Sequence, residues 1–179
     1  MMNLEKLKYP IGKFVIPELI TPNDRTDYIK DLEMLPQQIK NVVEGLDDRQ
    51  LDTPYRPEGW TIRQVVHHLP DSHLNSYIRY KWTLTEDQPL IKAYNQKEWA
   101  LLPDGKSAPI DISLSLLESL HTRWVWLLRS ITDEQWKRCF EHPETGKLVR
   151  LDVNLSLYSW HGHHHLSHIQ SLITRENWK

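Results

Sequence analysis

Between residues 154 and 175 the chain reads NLSLYSWHGHHHLSHIQSLITR, and no other segment limits the fold so tightly. On an α-helix each residue advances about 100°, so residues four apart share a face. With His161 set at zero, the apolar Leu157, Tyr158, Ile169 and Leu172 fall between about −40° and 80°, which marks the core side. His165 lies at about 40° and His168 at about −20° on the same scale. His161 and His165 therefore point into the protein, His163 falls roughly opposite, and His164 lies on the flank. An inward pair at i and i+4 is the spacing by which one helix gives two imidazoles to one metal ion, as in HExxH helices. The glutamate of that motif is absent, so only the geometry transfers. Two buried imidazoles without a shared partner would each lose solvation, whereas one ion satisfies both. A stable site needs a third ligand from another segment.

A second cluster, VVHHLPDSHLNSY (65–77), supplies the candidates. Val65, Leu69, Ser72, Ser76 and Tyr80 define its buried face at helical spacing. His67 falls opposite that face, while His68 and His73 both lie on its flanks, and periodicity does not choose between them. Pro70 removes a helix hydrogen bond and is expected to bend the helix one turn beyond His68. A lone inward histidine is commonly a satisfied core residue. Eight of the ten histidines, however, fall in these two segments, and the pairing of two clusters favours a metal centre.

The rest of the chain reads as helices to carry them. Pro10, Pro17 and Pro22 make the first twenty-odd residues an extended arm. From Asn23 or Asp24 to about Gly45, Tyr28, Leu32, Leu35, Ile39, Val42, Val43 and Leu46 follow the helical period, with Pro36 as an interruption. DDRQLDTPYRPEGW reads as a loop. Thr61 and Gln64 form a capping box opening a helix over 61–86. Residues 87–111 read as a long connection of the kind that is often functional. A third helix spans 112–130, ETGK suggests a short hairpin, and the histidine helix runs from near Asn154 to about Arg175. The expectation is an all-α, four-helix-bundle domain over residues 1–179.

Composition narrows the function. Twenty-two Lys and Arg against 24 Asp and Glu leave a net charge of −2 and no basic patch, which argues against nucleic acid. Cys139, the one cysteine, excludes an internal disulfide and a Cys-rich zinc site and reads as structural. MMNLEKLKYPIGKF lacks the apolar core of a signal peptide, and no run approaches membrane-spanning length, so a cytoplasmic protein off the membrane is expected. Trp60, Trp124, Trp126 and Trp160 read as core or interface packing.

YPIG (9–12), LDTPYRPEGWTIRQVVHHLPDSHLNSYIRYK (51–81) and LYSWHGHHHLSHI (157–169) resemble the DinB-like superfamily in its YfiT-like branch. That resemblance covers nearly the whole chain. It implies a four-helix bundle, a homodimer, and one divalent transition metal per chain, zinc or nickel, held by His68, His161 and His165. Pro70 departs from the pattern, which has a small residue there, and bears on the ring placement of His68. The resemblance further implies a metal-dependent hydrolase acting on a small-molecule substrate. Some relatives are instead S-transferases using a low-molecular-weight thiol, of the bacillithiol type. Three neutral histidines leave an open coordination position, the mark of a catalytic site. The alternatives are a non-catalytic metal-binding stress protein and a scaffold whose histidines pack. Asp71, His73, Asn75, His164 and His168 are the candidates for a general base. Arg63 and Arg79 could bind an anionic substrate, although surface solvation is the ordinary fate of such residues.

Overall fold

The computed structural model describes residues 4–178. It contains α1 (Leu4–Lys8), α2 (Pro22–Val43), α3 (Asp48–Leu51), α4 (Ile62–Thr85), α5 (Gln96–Trp99), α6 (Pro103–Ser107), α7 (Ile110–Arg129), α8 (Asp133–Trp136), β1 (Cys139–His142), β2 (Lys147–Arg150) and α9 (Leu151–Glu176). The expected bundle is formed by the four long helices. The arm is extended only beyond α1, a short helix that the proline-based reading missed. Further single-turn helices, α3, α5, α6 and α8, punctuate stretches read as loop or irregular. The hairpin is present, with Cys139 opposite Arg150 and His142 opposite Lys147. Among the described residues no helix is long and apolar enough to cross a membrane.

Local chemistry sets the helix ends. Thr21 Oγ1 accepts the Asp24 N–H of α2 at 3.2 Å while the Asp24 carboxylate accepts the Thr21 N–H at 2.7 Å. Thr61 and Gln64 make the expected reciprocal pair at α4, at 3.2 and 3.0 Å. Pro36 and Pro70 lie inside α2 and α4 without ending either. α9 begins three residues earlier than periodicity suggests because the hairpin delivers it there. The Leu151 N–H donates to Arg138 O at 3.0 Å, and the Tyr80 hydroxyl donates to Leu151 O at 2.6 Å.

Packing places α2 against α7 and α9, and α4 against the same two. Around the bundle the order is thus α2, α9, α4, α7, so α2 and α4, which follow one another as long helices, stand diagonally across. Short loops join adjacent helices, so a diagonal crossing needs a long connection. Residues 44–61 make the first crossing, and residues 130–150, with the hairpin, make the second. The apolar interior forms two clusters. One gathers Leu35, Ile39, Val65, Leu69, Leu117 and Ile169; the other gathers Leu32, Tyr80, Trp124, Phe140, Leu155 and Tyr158. Trp124 is fully buried, but Trp126 is 78 % exposed and takes no part in the core.

Gly162 lets α9 approach α2. A Cβ there would lie 2.6 Å from Leu35 Cδ2, inside contact distance. A branched side chain at this point overpacks the helix pair that carries the histidines. Gly162→Val is expected to destabilise the fold by about 1–3 kcal/mol, read as a lower urea midpoint with unchanged slope.

Candidate metal centre

The histidines of α4 and α9 meet where the two apolar clusters adjoin. His68, His161 and His165 each offer a ring nitrogen, and these atoms all lie within 4.8 Å of one another. His68 Nε2 and His161 Nε2 face each other at 3.3 Å. No Asp, Glu or Cys joins this group among the described residues. Pro70 leaves α4 continuous, and His68 reaches the α9 rings. Such a cluster could hold a metal ion. The donor set fits one, because imidazole suits several divalent transition metals. An orphaned atom adds to the fit, since His165 Nδ1 is buried without a hydrogen-bond partner.

His73, the other flank of α4, sits behind the group rather than in it. Its Nε2 lies 3.1 Å from His161 Nδ1 and its Nδ1 lies 2.9 Å from His121 Nε2, while His121 Nδ1 meets the carbonyl of Leu32 on α2. Burial lowers the pKa of His161 and His73 well below the ordinary histidine value and that of His121 to about 4, so all three rings are neutral at pH 7. One end of this chain has a fixed polarity. A carbonyl only accepts, so His121 carries its proton on Nδ1 and presents a bare Nε2. His73 must then donate from Nδ1, and His161 in turn must donate from Nδ1 to the bare Nε2 of His73. His161 Nε2 is left with its lone pair directed at His68. One backbone carbonyl thereby sets the tautomer of three rings. His121 is the member that sequence reasoning missed; its position on the buried face of α7, beside Leu117, Leu120 and Trp124, is the signal that could have found it.

The other histidines go elsewhere. His163 is on the outer side as expected, 3.2 Å from the Asp31 carboxylate, whose hydrogen bond raises its pKa. His164 stacks on Trp160 with ring centres 4.5 Å apart, and His168 stacks on Tyr55 at 3.9 Å while its Nε2 meets Lys8 O at 3.2 Å. His67, expected to face outward, is buried. Its Nε2–H donates to Ala108 O at 3.1 Å and its Nδ1 accepts from the Ser113 hydroxyl at 2.7 Å, because the 86–109 connection and the start of α7 cover that side of α4. Trp60 is more than packing, since its ring lies 4.6 Å from that of His68 and stacks at 6.2 Å on His165. Asp71 and Asn75 are not brought to the group. Asn75 donates to Asp71 O at 2.9 Å, and burial raises the Asp71 carboxyl to about 6.

Two clefts reach His161. One of about 1180 Å³ is lined by Lys8, Tyr55, Arg56, Trp60, His164, His165 and His168, among others. The second, about 710 Å³, is lined by Ser72, Arg79, Tyr94, His142 and Tyr158, among others. Gln96 and Lys97 of α5 border both, so the long connection overhangs the histidines.

Comparison with known proteins agrees with the fold. The family model of the DinB superfamily matches residues 31–169. The chain belongs to the DinB superfamily. It is 50 % identical over 177 residues to YfiT of Bacillus subtilis, named as a candidate metal-dependent hydrolase, with 99 % of each chain covered. A Bacillus cereus (strain ATCC 10987) relative with the same description is 51 % identical over 175 residues, covering 98 % of this chain and all of that one. The solved structure of the Bacillus subtilis protein, described as a four-helix bundle of unusual topology, superposes with a TM-score of 0.95 at 50 % identity, over 97 % of this chain and 99 % of that one. The diagonal order of the helices in this DinB-superfamily chain is consistent with that description.

Long-range ¹H–¹⁵N spectra of the histidine rings test the polarity of the relay. The Nδ1–H tautomer is expected at His121, His73 and His161 near pH 7. An Nε2–H form at His161 would contradict the derived direction.

Proposed function

We propose that this protein is a metal-dependent hydrolase holding one divalent ion, zinc or nickel, through His68, His161 and His165. The observation that carries this reading is the convergence of three imidazoles, two buried and that of His161 half-buried, drawn from two helices, with no carboxylate or thiol among them. The names of the Bacillus relatives support it. An ion on three neutral histidines supplies Lewis acidity, polarising a substrate oxygen and acidifying a water at neutral pH.

The remaining work falls to side chains of this protein. Burial keeps His68 at about 3, with His161 and His165 also far below the ordinary value, so each offers a lone pair without first losing a proton. The His73–His121–Leu32 relay holds the His161 ring and its tautomer, the task usually given to partners behind a ligating histidine. Trp60 covers the His68 and His165 rings on one side and excludes water from them. The clefts leave room for a small-molecule substrate.

A thiol S-transferase, using a low-molecular-weight thiol, is a second reading favoured by one feature. The clefts that reach His161 carry amide and basic groups, Gln96, Lys97, Arg79 and Arg56, beside the exposed Glu5, Glu58 and Glu144, and no carboxylate joins the three imidazoles. Parallel assays of ester hydrolysis and thiol transfer on the metal-loaded protein separate the two.

Elemental analysis of tag-free protein is the first test, and about one zinc or nickel per chain is expected. The His161→Ala, His165→Ala double variant should hold none. A parent that is empty and takes up neither added metal would refute the proposal. His121→Phe, which cuts the relay and leaves the three imidazoles in place, is expected to weaken metal affinity about 10–100-fold in a chelator competition.

A further inference from the structure

Helix α4 buries two arginines, and their surroundings are opposite. Arg63, 6 % exposed, is fully engaged: Nε donates to Asp52 at 2.6 Å, Nη2 to Asp48 at 2.7 Å and Nη1 to Ala108 O at 3.2 Å. It ties α4 to α3 and to the long connection, so its role is structural. Arg79, four turns along, is 8 % exposed and has neither an ion pair nor a side-chain hydrogen bond among the described residues. Its Nε is buried with no partner at all.

A guanidinium stays charged at any ordinary pH and cannot escape burial by losing a proton. Buried charges are normally paired, and an unpaired one is costly. Arg79 also opens on a cleft instead of lying sealed in the core. It lines the 710 Å³ cleft that reaches His161, with Ser72, Tyr94, Lys97 and His142. Glu144, the one carboxylate residue among those lining the same cleft, sits on the hairpin turn but is exposed and makes no ion pair with it. His142 Nδ1 is buried without a partner as well, so two unused polar atoms belong to residues of one cleft wall.

We propose that this cleft binds a carboxylate group of the substrate, with Arg79 as its counter-ion. Guanidinium presents a planar fork of N–H donors matched to two coplanar oxygens. One fixed buried charge balances a monoanion, which favours a carboxylate over a phosphate dianion. The assignment of the carboxylate to a substrate rests on reading the three-histidine cluster as the reacting centre; the anion site itself rests on Arg79 alone.

The probes are benzoate and its neutral isostere benzamide, with affinities measured by ligand-observed NMR. The parent is expected to bind benzoate at least about tenfold more tightly than benzamide, in line with a charge-assisted bidentate pair. Arg79→Met should lose that preference while its benzamide affinity is unchanged. Equal benzoate affinity in parent and variant, or no preference in the parent, would overturn the proposal. Arg79→Lys keeps the charge without the fork and decides the matter if the methionine variant does not fold; at least about a threefold loss of benzoate affinity is expected, and no loss overturns the site. Thermal melts add an independent reading. Arg79→Met removes an unpaired buried charge and should melt at or above the parent, unlike Arg63→Met, which strands two aspartates. A fall as large as that of Arg63→Met would make Arg79 part of the framework and overturn the proposal. Metal content measured on each sample separates the two ideas. An Arg79-dependent preference in protein that takes up no zinc or nickel keeps the anion site and refutes the metal centre, and the converse refutes only the anion site.

Discussion

The Leu32 carbonyl on α2 is a small feature with long reach. Four buried imidazoles, those of His68, His73, His121 and His165, and the half-buried His161 lie together within a helical bundle that has two apolar clusters. Each buried polar atom left without a partner costs roughly 1–3 kcal/mol, so a layer of this kind threatens a fold unless it is satisfied in order. The relay satisfies three of the rings, and it does so in one direction because a carbonyl cannot donate. What remains is concentrated at a single point, where ring nitrogens of His68, His161 and His165 converge. Of these five rings, only that of His165 keeps a buried nitrogen without a partner.

That gathering depends on the helix order. α2 contributes the carbonyl, α7 His121, α4 His68 and His73, and α9 His161 and His165, so every long helix supplies one part. With α2 and α4 standing diagonally, both α7 and α9 contact each of them. The carbonyl-to-His121 step crosses the α2–α7 contact, His121 to His73 crosses α7–α4, and His73 to His161 crosses α4–α9. The 86–109 connection joins the adjacent α4 and α7, so its length is not set by a diagonal crossing, and it lies over α4. Gln64 Nε2 donates to Ala100 O at 2.7 Å, while Ile91 N–H and Glu141 N–H exchange backbone bonds with the hairpin and Pro89 at 3.1 and 2.9 Å. α5 is thereby suspended above His161 and borders both clefts.

Much of this was legible in the sequence, and the failures share a cause. The four helices, the Thr61–Gln64 cap, the hairpin and the inward pair His161 and His165 follow from period and capping chemistry, which are local. Periodicity left His68 and His73 unresolved for a sound reason: both flank the same ring, one near its Nε2 and the other at its Nδ1. His67, Arg63 and Arg79 were misjudged as outward or solvated because a helical wheel assumes that water lies beyond the outer face. Here the long connection and the hairpin lie there instead. The arm misled in a similar way. Its prolines begin at Pro10 and say nothing about the LEKLK turn before them, whose last carbonyl, that of Lys8, holds His168.

The run HGHHHLSH shows how a repetitive stretch acquires separate duties along a helix. Steps of about 100° send His161 and His165 inward, His163 outward to Asp31 and His164 to the flank against Trp160, while His168, on the face of His161 but about two turns further along, meets Tyr55 and Lys8 O. The one non-histidine in the first five positions is Gly162, which faces Leu35 where α9 touches α2, so a Cβ there would push on the Leu35 side chain. That contact sets how deeply α9 sits in the bundle, and hence whether His161 can reach His73 on one side and His68 on the other. A glycine with no chemistry of its own thereby helps set the geometry around the imidazoles.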